Sequence, residues 1–394
     1  KIWSEFERTF HMACLLHDCG HAPFSHSFEL YYDKPPGTLE SQLRKLANNE
    51  RFSKDLRDST SNPHERVSAI ILLKKYGKII KNLGGDPLLA ARMIIGCQYR
   101  YRDKRSNKDL LANALIELLN GKAFDVDKLD YAARDKWASG MSSANIDIFR
   151  LLSSLCIGKH SGKGYVLAFF KSALSVFEAV LDARNFQHMW VFSHHKVKYD
   201  QHLLTKAVTE MAKILALGDA EKGSQTLFSI NTFFASKPVI LGEYKLLLPS
   251  DDDLIHMLKV HSSAIPEAKE WLYRNHRLKP LWKSYAEFYS HFRTLSEDAI
   301  TKVRKQAIVE LDEYFGKQGI SKKDFLLLDV APTLTTISDN EIFICVDGKK
   351  TICFNQTRPS NRTKTESPSY FYIYVSTKAM KHKKKIIDLL YGIA

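Results

Sequence analysis

His17-Asp18-Cys19-Gly20-His21-Ala22-Pro23-Phe24-Ser25-His26-Ser27-Phe28-Glu29 decides the reading of this chain. Three histidines and two carboxylates crowd around a Gly/Pro turn, and buried polar groups at that density need partners. An adjacent His-Asp suits a borderline divalent metal, and such an ion brings the pKa of a bound water close to neutrality. His26 and Glu29 are three apart, so on a helix they share one face. A carboxylate there raises the imidazole pKa and fixes its tautomer, as proton transfer requires.

The 394 residues allow two or three domains and a sizeable core. At 44% hydrophobic and 26% charged residues, the composition is globular rather than disordered. No apolar run reaches the roughly 18 residues of a membrane span, and no signal peptide opens the sequence, so no membrane partner is expected. Cys14, Cys19, Cys97, Cys156, Cys345 and Cys353 show no CxxC pairing, which predicts a reducing, cytoplasmic setting. The net charge of +14 calls for an anionic partner, a nucleic acid or a polyphosphate nucleotide. Basic clusters at Arg100–Lys108 and Lys381–Lys385 lack interleaved aromatics, so composition does not choose between them.

The first half reads as helical. Asn62-Pro63-His64-Glu65 is an N-cap with proline and a capping acid, continued by the apolar run Val67–Ile80. Asp86-Pro87 opens a helix through Cys97, and Asn107–Leu119 forms another, stopped by Asn120-Gly121. Asp127, Tyr131 and Asp135 recur every four residues on one helical face. Leu151–Ile157 and Tyr165–Phe169 read as a hairpin around Gly158–Gly164, and Lys171 to Ala216 as long helix, broken near His194-His195. Beyond a loop at Leu217–Gly223, helices are expected over Asp251–His261, Leu281–Phe292, Ala299–Phe315 and Thr377–Leu390. Strands are expected over Phe325–Val330, Glu341–Val346, Thr351–Phe354 and Tyr370–Val375, with a turn at Asp347-Gly348 and a polar stretch at Gln356–Pro368. The fold class expected is mainly α: a helical core over residues 1–216 and a smaller C-terminal α+β lobe over 217–394, given to assembly or regulation.

His17-Asp18, the GHxPFSHxFE pattern that follows, His64-Glu65 and the DVDKLDYAARD run from Asp125 to Asp135 resemble the HD-domain deoxynucleoside triphosphate (dNTP) triphosphohydrolases. These include bacterial dGTPase-like enzymes and the animal SAM-and-HD-domain dNTPases. The likeness covers about the first 215 residues. It implies a helical HD core, a divalent metal (Mn, Mg, Fe or Zn), and hydrolysis of a dNTP to deoxynucleoside and tripolyphosphate. It also implies a homo-oligomer and an activating nucleotide.

Carried over by position, His17, Asp18 and Asp127 are the implied metal ligands, and two carboxylates with one imidazole leave open positions for water and phosphate. His26, Glu29 and His64 are the implied catalytic residues. His21, Lys128, Tyr131, Asp135, Arg184 and His188 are the implied substrate contacts, while Asp125 and Asp130 read as supporting or capping acids. Two departures stand out. The family's first metal-ligating histidine lies several dozen residues before the His-Asp pair, and only 16 residues precede His17; His11 is too near. Lys1 at the start sets the expectation that the missing ligand lies in an upstream segment. Phe192 stands where the family often has tyrosine, with an extra residue before His195-Lys196, which bears on sugar recognition. The alternatives are an HD phosphodiesterase or nuclease acting on nucleic acid or a signalling nucleotide, and a catalytically depleted nucleotide sensor.

Overall fold

A computed structural model describes residues 2–57, 59, 61–100, 106–121, 124–140, 146–161, 163–332, 334, 342–346, 351–353 and 370–394. The class is mainly α with small sheets, as the sequence predicts. Two compact units emerge. The first runs to Arg184, resumes over Thr209–Met257 and recruits a later strand pair; the second holds Asn185–Val208, Leu258–Leu334 and the C-terminal described residues. The first unit is discontinuous in sequence because late strands hydrogen-bond into an early sheet.

In the first unit, α1 (Ile2–Leu16), α2 (Thr38–Ala47), α3 (Glu50–Leu56), α4 (Pro63–Ile71), α5 (Gly77–Asn82) and α6 (Pro87–Ile94) precede the second half of the helical core. The cap at Asn62 forms as expected, Glu65 Oε2 accepting from the Asn62 N–H at 2.6 Å. The run Val67–Ile80 is not one α-helix, since a π turn at Leu72–Tyr76 separates α4 from α5. Asp86 Oδ1 accepts from the N–H groups of Leu88 and Leu89 and so starts α6, which stops at Ile94, short of Cys97. Leu89 to Ile94 are all buried, because α6 packs against α1, α4 and α7 (Asn107–Leu119). Burying Leu89, Met93 and Ile94 stabilises the unit by about 1.5–3 kcal/mol each.

Next come α8 (Val126–Ser139) and α9 (Ile148–Ser153), so Leu151 is helical and the expected hairpin starts later. Its strands are β1 (Leu155–His160) and β2 (Gly164–Phe170), antiparallel from Leu155↔Phe169 to His160↔Gly164. Strand Phe343–Cys345 joins β2 in parallel and pairs in turn with Thr351–Cys353, while Glu341 and Phe354 of the expected spans lie outside the described residues. Asp347-Gly348, Gln356–Pro368 and part of the basic cluster Arg100–Lys108 lie outside the described residues. The expected long helix divides into a 3₁₀ turn, α10 (Leu174–Gln187), a π turn His188–Phe192 and α11 (His195–Leu215). The break does fall at His194. Only the first residues of the expected loop Leu217–Gly223 are loop: Asp219 accepts from the Lys222 N–H and starts α12 (Ala220–Phe228).

The second unit is built on strand Tyr370–Val375, all six residues buried. Phe325–Val330 lies antiparallel along one edge and Lys279–Pro280 along the other. Leu281 continues that ladder, donating its N–H to Ile373 O at 2.8 Å. This pairing overrides the apolar pattern, so the helix expected over Leu281–Phe292 begins at Tyr285. Helices Glu297–Lys317 and Lys383–Ile393 share the apolar core with Trp282, whose indole N–H donates to Phe371 O at 2.7 Å. The expected terminal helix Thr377–Leu390 splits into Thr377–Met380 and Lys383–Ile393. Among the described residues, no helix is long and apolar enough to cross a membrane.

Candidate metal centre and active site

The buried side of α1 carries Phe6, Thr9 and Ala13, and His17 continues that stripe just past the last turn. His17 Nδ1 lies 2.7 Å from Cys14 O, while Nε2 lies 3.3 Å from Asp127 Oδ1 and 3.5 Å from Asp18 Oδ2. Donation from Nδ1 to a carbonyl fixes the tautomer and turns the Nε2 lone pair toward the two carboxylates. Asp127 sits in the first turn of α8, which Asp125 caps by accepting from the Lys128 N–H at 2.7 Å. Donor atoms of His17, Asp18 and Asp127 lie within 4.8 Å of one another, a set that could hold a divalent ion. The hydrogen bond to Asp127 pushes the His17 imidazolium up to about 9. His11 is exposed on α1, outside this group.

Gly20 lets the loop after Asp18 lie directly on α4. Its N–H donates to Ser68 Oγ at 2.8 Å, and a Cβ there would meet His64 O at 2.4 Å and Ser68 N at 2.5 Å. Phe24 and Ser25 then take left-handed backbone, φ 60° and 54°, at a cost of about 1–3 kcal/mol each. Asp251 Oδ1 offsets part of this by accepting from the Phe24 N–H at 2.9 Å. The 3₁₀ helix Ser25–Tyr31 follows, pinned where Phe28 stacks on Phe228 of α12 with ring centroids 4.2 Å apart. Together these contacts fix where His26 and Glu29 point.

Three imidazoles converge on one oxygen of Glu29. His26 Nδ1 is 2.6 Å from Oε1, His64 Nδ1 2.8 Å and His21 Nδ1 3.6 Å. The rings of His21 and His64 stack at 4.1 Å. On its other edge, His21 Nε2 lies 3.5 Å from Asp18 Oδ1, which ties this cluster to the first. Burial pushes the Glu29 carboxyl up, but bonds from His26 and His64 overcome it and hold the group down at about 2. Glu29 in turn raises the His26 pKa, while His21 lowers that of Asp18. The His26 side chain is 67% exposed and that of His64 only 7%, so His26 can meet a ligand from solvent.

The other expected contacts fall unevenly. Lys128 Nζ is already engaged by Asp125 and by Gly121 O, the latter at 2.7 Å. Tyr131, one turn beyond Asp127, hydrogen-bonds to Arg184; burial raises its phenol and the guanidinium opposes that. Asp135 lies a further turn along, half-buried and raised by desolvation. Asp130 pairs with Arg134 on the exposed face. His188 opens the π turn in the second unit, its ring edge-on to Phe192 at 5.1 Å. Sequence reasoning missed Ser68 and Asp251, because nothing in one sequence tells which distant polar residue will receive a loop N–H. Gly20 could have been flagged by its place between two candidate ligands.

Residues 1–132 match the family described as the HD domain, and proteins named as dNTP triphosphohydrolases are among the similar ones. An uncharacterized Mycoplasma pneumoniae protein, the MG461 homolog, is 30% identical over 191 residues, 48% of this chain and 37% of that protein. The deoxynucleoside triphosphate triphosphohydrolase SAMHD1 of Gallus gallus is 25% identical over 312 residues, 78% of this chain and 45% of its own. The chain thus spans less than half the length of these curated relatives. Among solved structures, a phosphohydrolase from Bacteroides thetaiotaomicron shares the fold, with TM-score 0.56 and 18% identity over 95% of this chain and 80% of that one.

Proposed function

We propose that the chain hydrolyses dNTPs to deoxynucleoside and tripolyphosphate. The observation that carries the reading is the juxtaposition of the His17/Asp18/Asp127 group with the His26–Glu29 pair, bridged by the His21–Asp18 contact. A divalent metal held by His17, Asp18 and Asp127 would supply charge against phosphate oxygens and lower the pKa of a water. In the reaction, the water oxygen bonds to the α-phosphorus, the bond from phosphorus to the 5′ oxygen breaks, and His26 gives that oxygen its proton. Glu29 keeps the imidazolium charged and oriented until then. His21, stacked on the buried His64, would meet the phosphates beside this pair. Arg184, oriented by Tyr131, offers charge to the polyphosphate, and Tyr131 with Asp135 faces the sugar. Lys128 contributes through Asp125, holding the start of α8 and hence Asp127.

SAMHD1 relatives named as dNTP triphosphohydrolases support the substrate class. The net charge of +14 suits a polyphosphate and an oligomer with nucleotide sites. Chromatography of each dNTP with Mn²⁺ or Mg²⁺ tests this: deoxynucleoside and tripolyphosphate must appear and vanish in Asp18→Ala. Nucleoside monophosphate and pyrophosphate would refute it. The same charge keeps a nucleic-acid substrate as the second reading, betrayed by affinity falling steeply with salt.

A further inference from the structure

We propose that His21, His26, Glu29 and His64 form a second divalent-cation site, of zinc type, whose occupation switches the enzyme off. The inhibitory part rests on the proposed role of His26 and Glu29; the site itself does not. One donor atom from each residue lies within 4.8 Å of the other three. A tetrahedral zinc with bonds of about 2.0–2.1 Å sets its donors roughly 3.3 Å apart. Separations of 2.6, 2.8 and 3.6 Å between Glu29 Oε1 and the three Nδ1 atoms already bracket that value. Three imidazoles and a carboxylate are donors that zinc prefers, unlike the carboxylate-rich first group, which suits Mn²⁺ or Mg²⁺ as well.

Two further features point to a ligand. His64 Nδ1 is buried and makes no aligned hydrogen bond, although Glu29 Oε1 lies 2.8 Å away. A buried nitrogen held only by this poorly aligned contact is costly, and a metal would take both groups as ligands. His21 meets the cluster through Nδ1 while Nε2 faces Asp18, the carboxylate–histidine arrangement that raises the basicity of a ligating imidazole. The exposed edge of His26 gives the ion an entry path. Zinc at His26 Nδ1 and Glu29 would displace the Nδ1 proton and leave Nε2–H on a metal-bound neutral imidazole, a far weaker acid than imidazolium, so protonation of the leaving 5′ oxygen would fail.

Full-length protein stripped of metal and titrated with Co²⁺ or Zn²⁺ tests the site by metal-to-chain ratio and by the visible absorption of four-coordinate cobalt. Wild type should take up two ions per chain and show the band. Glu29→Gln and His26→Ala should each take up one ion and lose the band; His26→Ala is the fold-safe variant, since that side chain is 67% exposed. Asp127→Ala should keep the band and lose the other ion. A single ion in wild type, or a band that survives in both Glu29→Gln and His26→Ala, overturns the second site. Zn²⁺ added to Mn²⁺-supported wild type should cut turnover at least tenfold over the concentrations that fill the second site; unchanged turnover overturns the switch. If no dNTP turns over with Mn²⁺ alone, the proposed reaction fails while ion ratio and band still decide the site.

Discussion

Gly20→Ala concentrates the account in one methyl group. The added Cβ would lie 2.4 Å from His64 O and 2.5 Å from Ser68 N, about 1 Å inside ordinary contact. Both atoms are α4 backbone and cannot swing away as a side-chain tip could. Either the loop lifts or α4 shifts. Overpacking of this kind costs about 1–3 kcal/mol. Lifting the loop also breaks the Gly20 N–H bond to Ser68 Oγ and moves Asp18 and His21, which flank Gly20, by about the same distance. A displacement near 1 Å at a catalytic constellation costs on the order of 100-fold in rate. Urea denaturation should therefore register a loss of about 1–3 kcal/mol, metal affinity should weaken, and kcat should fall about 100-fold. A variant with wild-type midpoint, affinity and turnover would refute the claim that loop and helix are locked together here.

Four further outcomes follow from the structure. His26→Asn removes the proposed proton donor and should lower kcat by roughly 10²–10⁴-fold with little change in KM, measured by steady-state kinetics. Asp127 raises the His17 pKa to about 9, so this pairing stabilises the metal-free protein fully below pH 6.5 and loses its contribution as pH climbs through 9. Because a metal must displace that proton, Mn²⁺ affinity by calorimetry should rise from pH 6 to pH 9 and then level. The reverse sign holds for Glu29: held at about 2 against an ordinary 4.5, it stabilises the fold above pH 4.5 and stops doing so as pH falls through 2. Arg92→Leu strands the buried Asp55 carboxylate, now 2.9 Å from the guanidinium, and should cost about 3–5 kcal/mol by thermal unfolding.

Local chemistry made much of this legible. The Asn62 and Asp86 caps, the α8 face carrying Asp127, Tyr131 and Asp135, and strands Phe325–Val330 and Tyr370–Val375 were readable because their causes lie within a few residues. The errors came where distant partners decided. Lys279–Pro280 and Leu281 join a ladder with strand Tyr370–Val375, which local pattern cannot foresee. The strand pair Phe343–Cys345 and Thr351–Cys353 joins β2 across more than 150 residues, which makes the first unit discontinuous in sequence. At the site, His17, Asp18, His26 and Glu29 were readable as chemistry from their spacing. Convergence of His64 on Glu29 and the capture of Lys128 by Asp125 depend on tertiary placement.

The most direct test runs the reaction in H₂¹⁸O with a dNTP and Mn²⁺ and follows the label by ³¹P NMR and mass spectrometry. Attack at the α-phosphorus with release of the 5′ oxygen predicts one ¹⁸O in the tripolyphosphate and none in the deoxynucleoside. Label in the deoxynucleoside, or in a nucleoside monophosphate or orthophosphate product, would contradict the account.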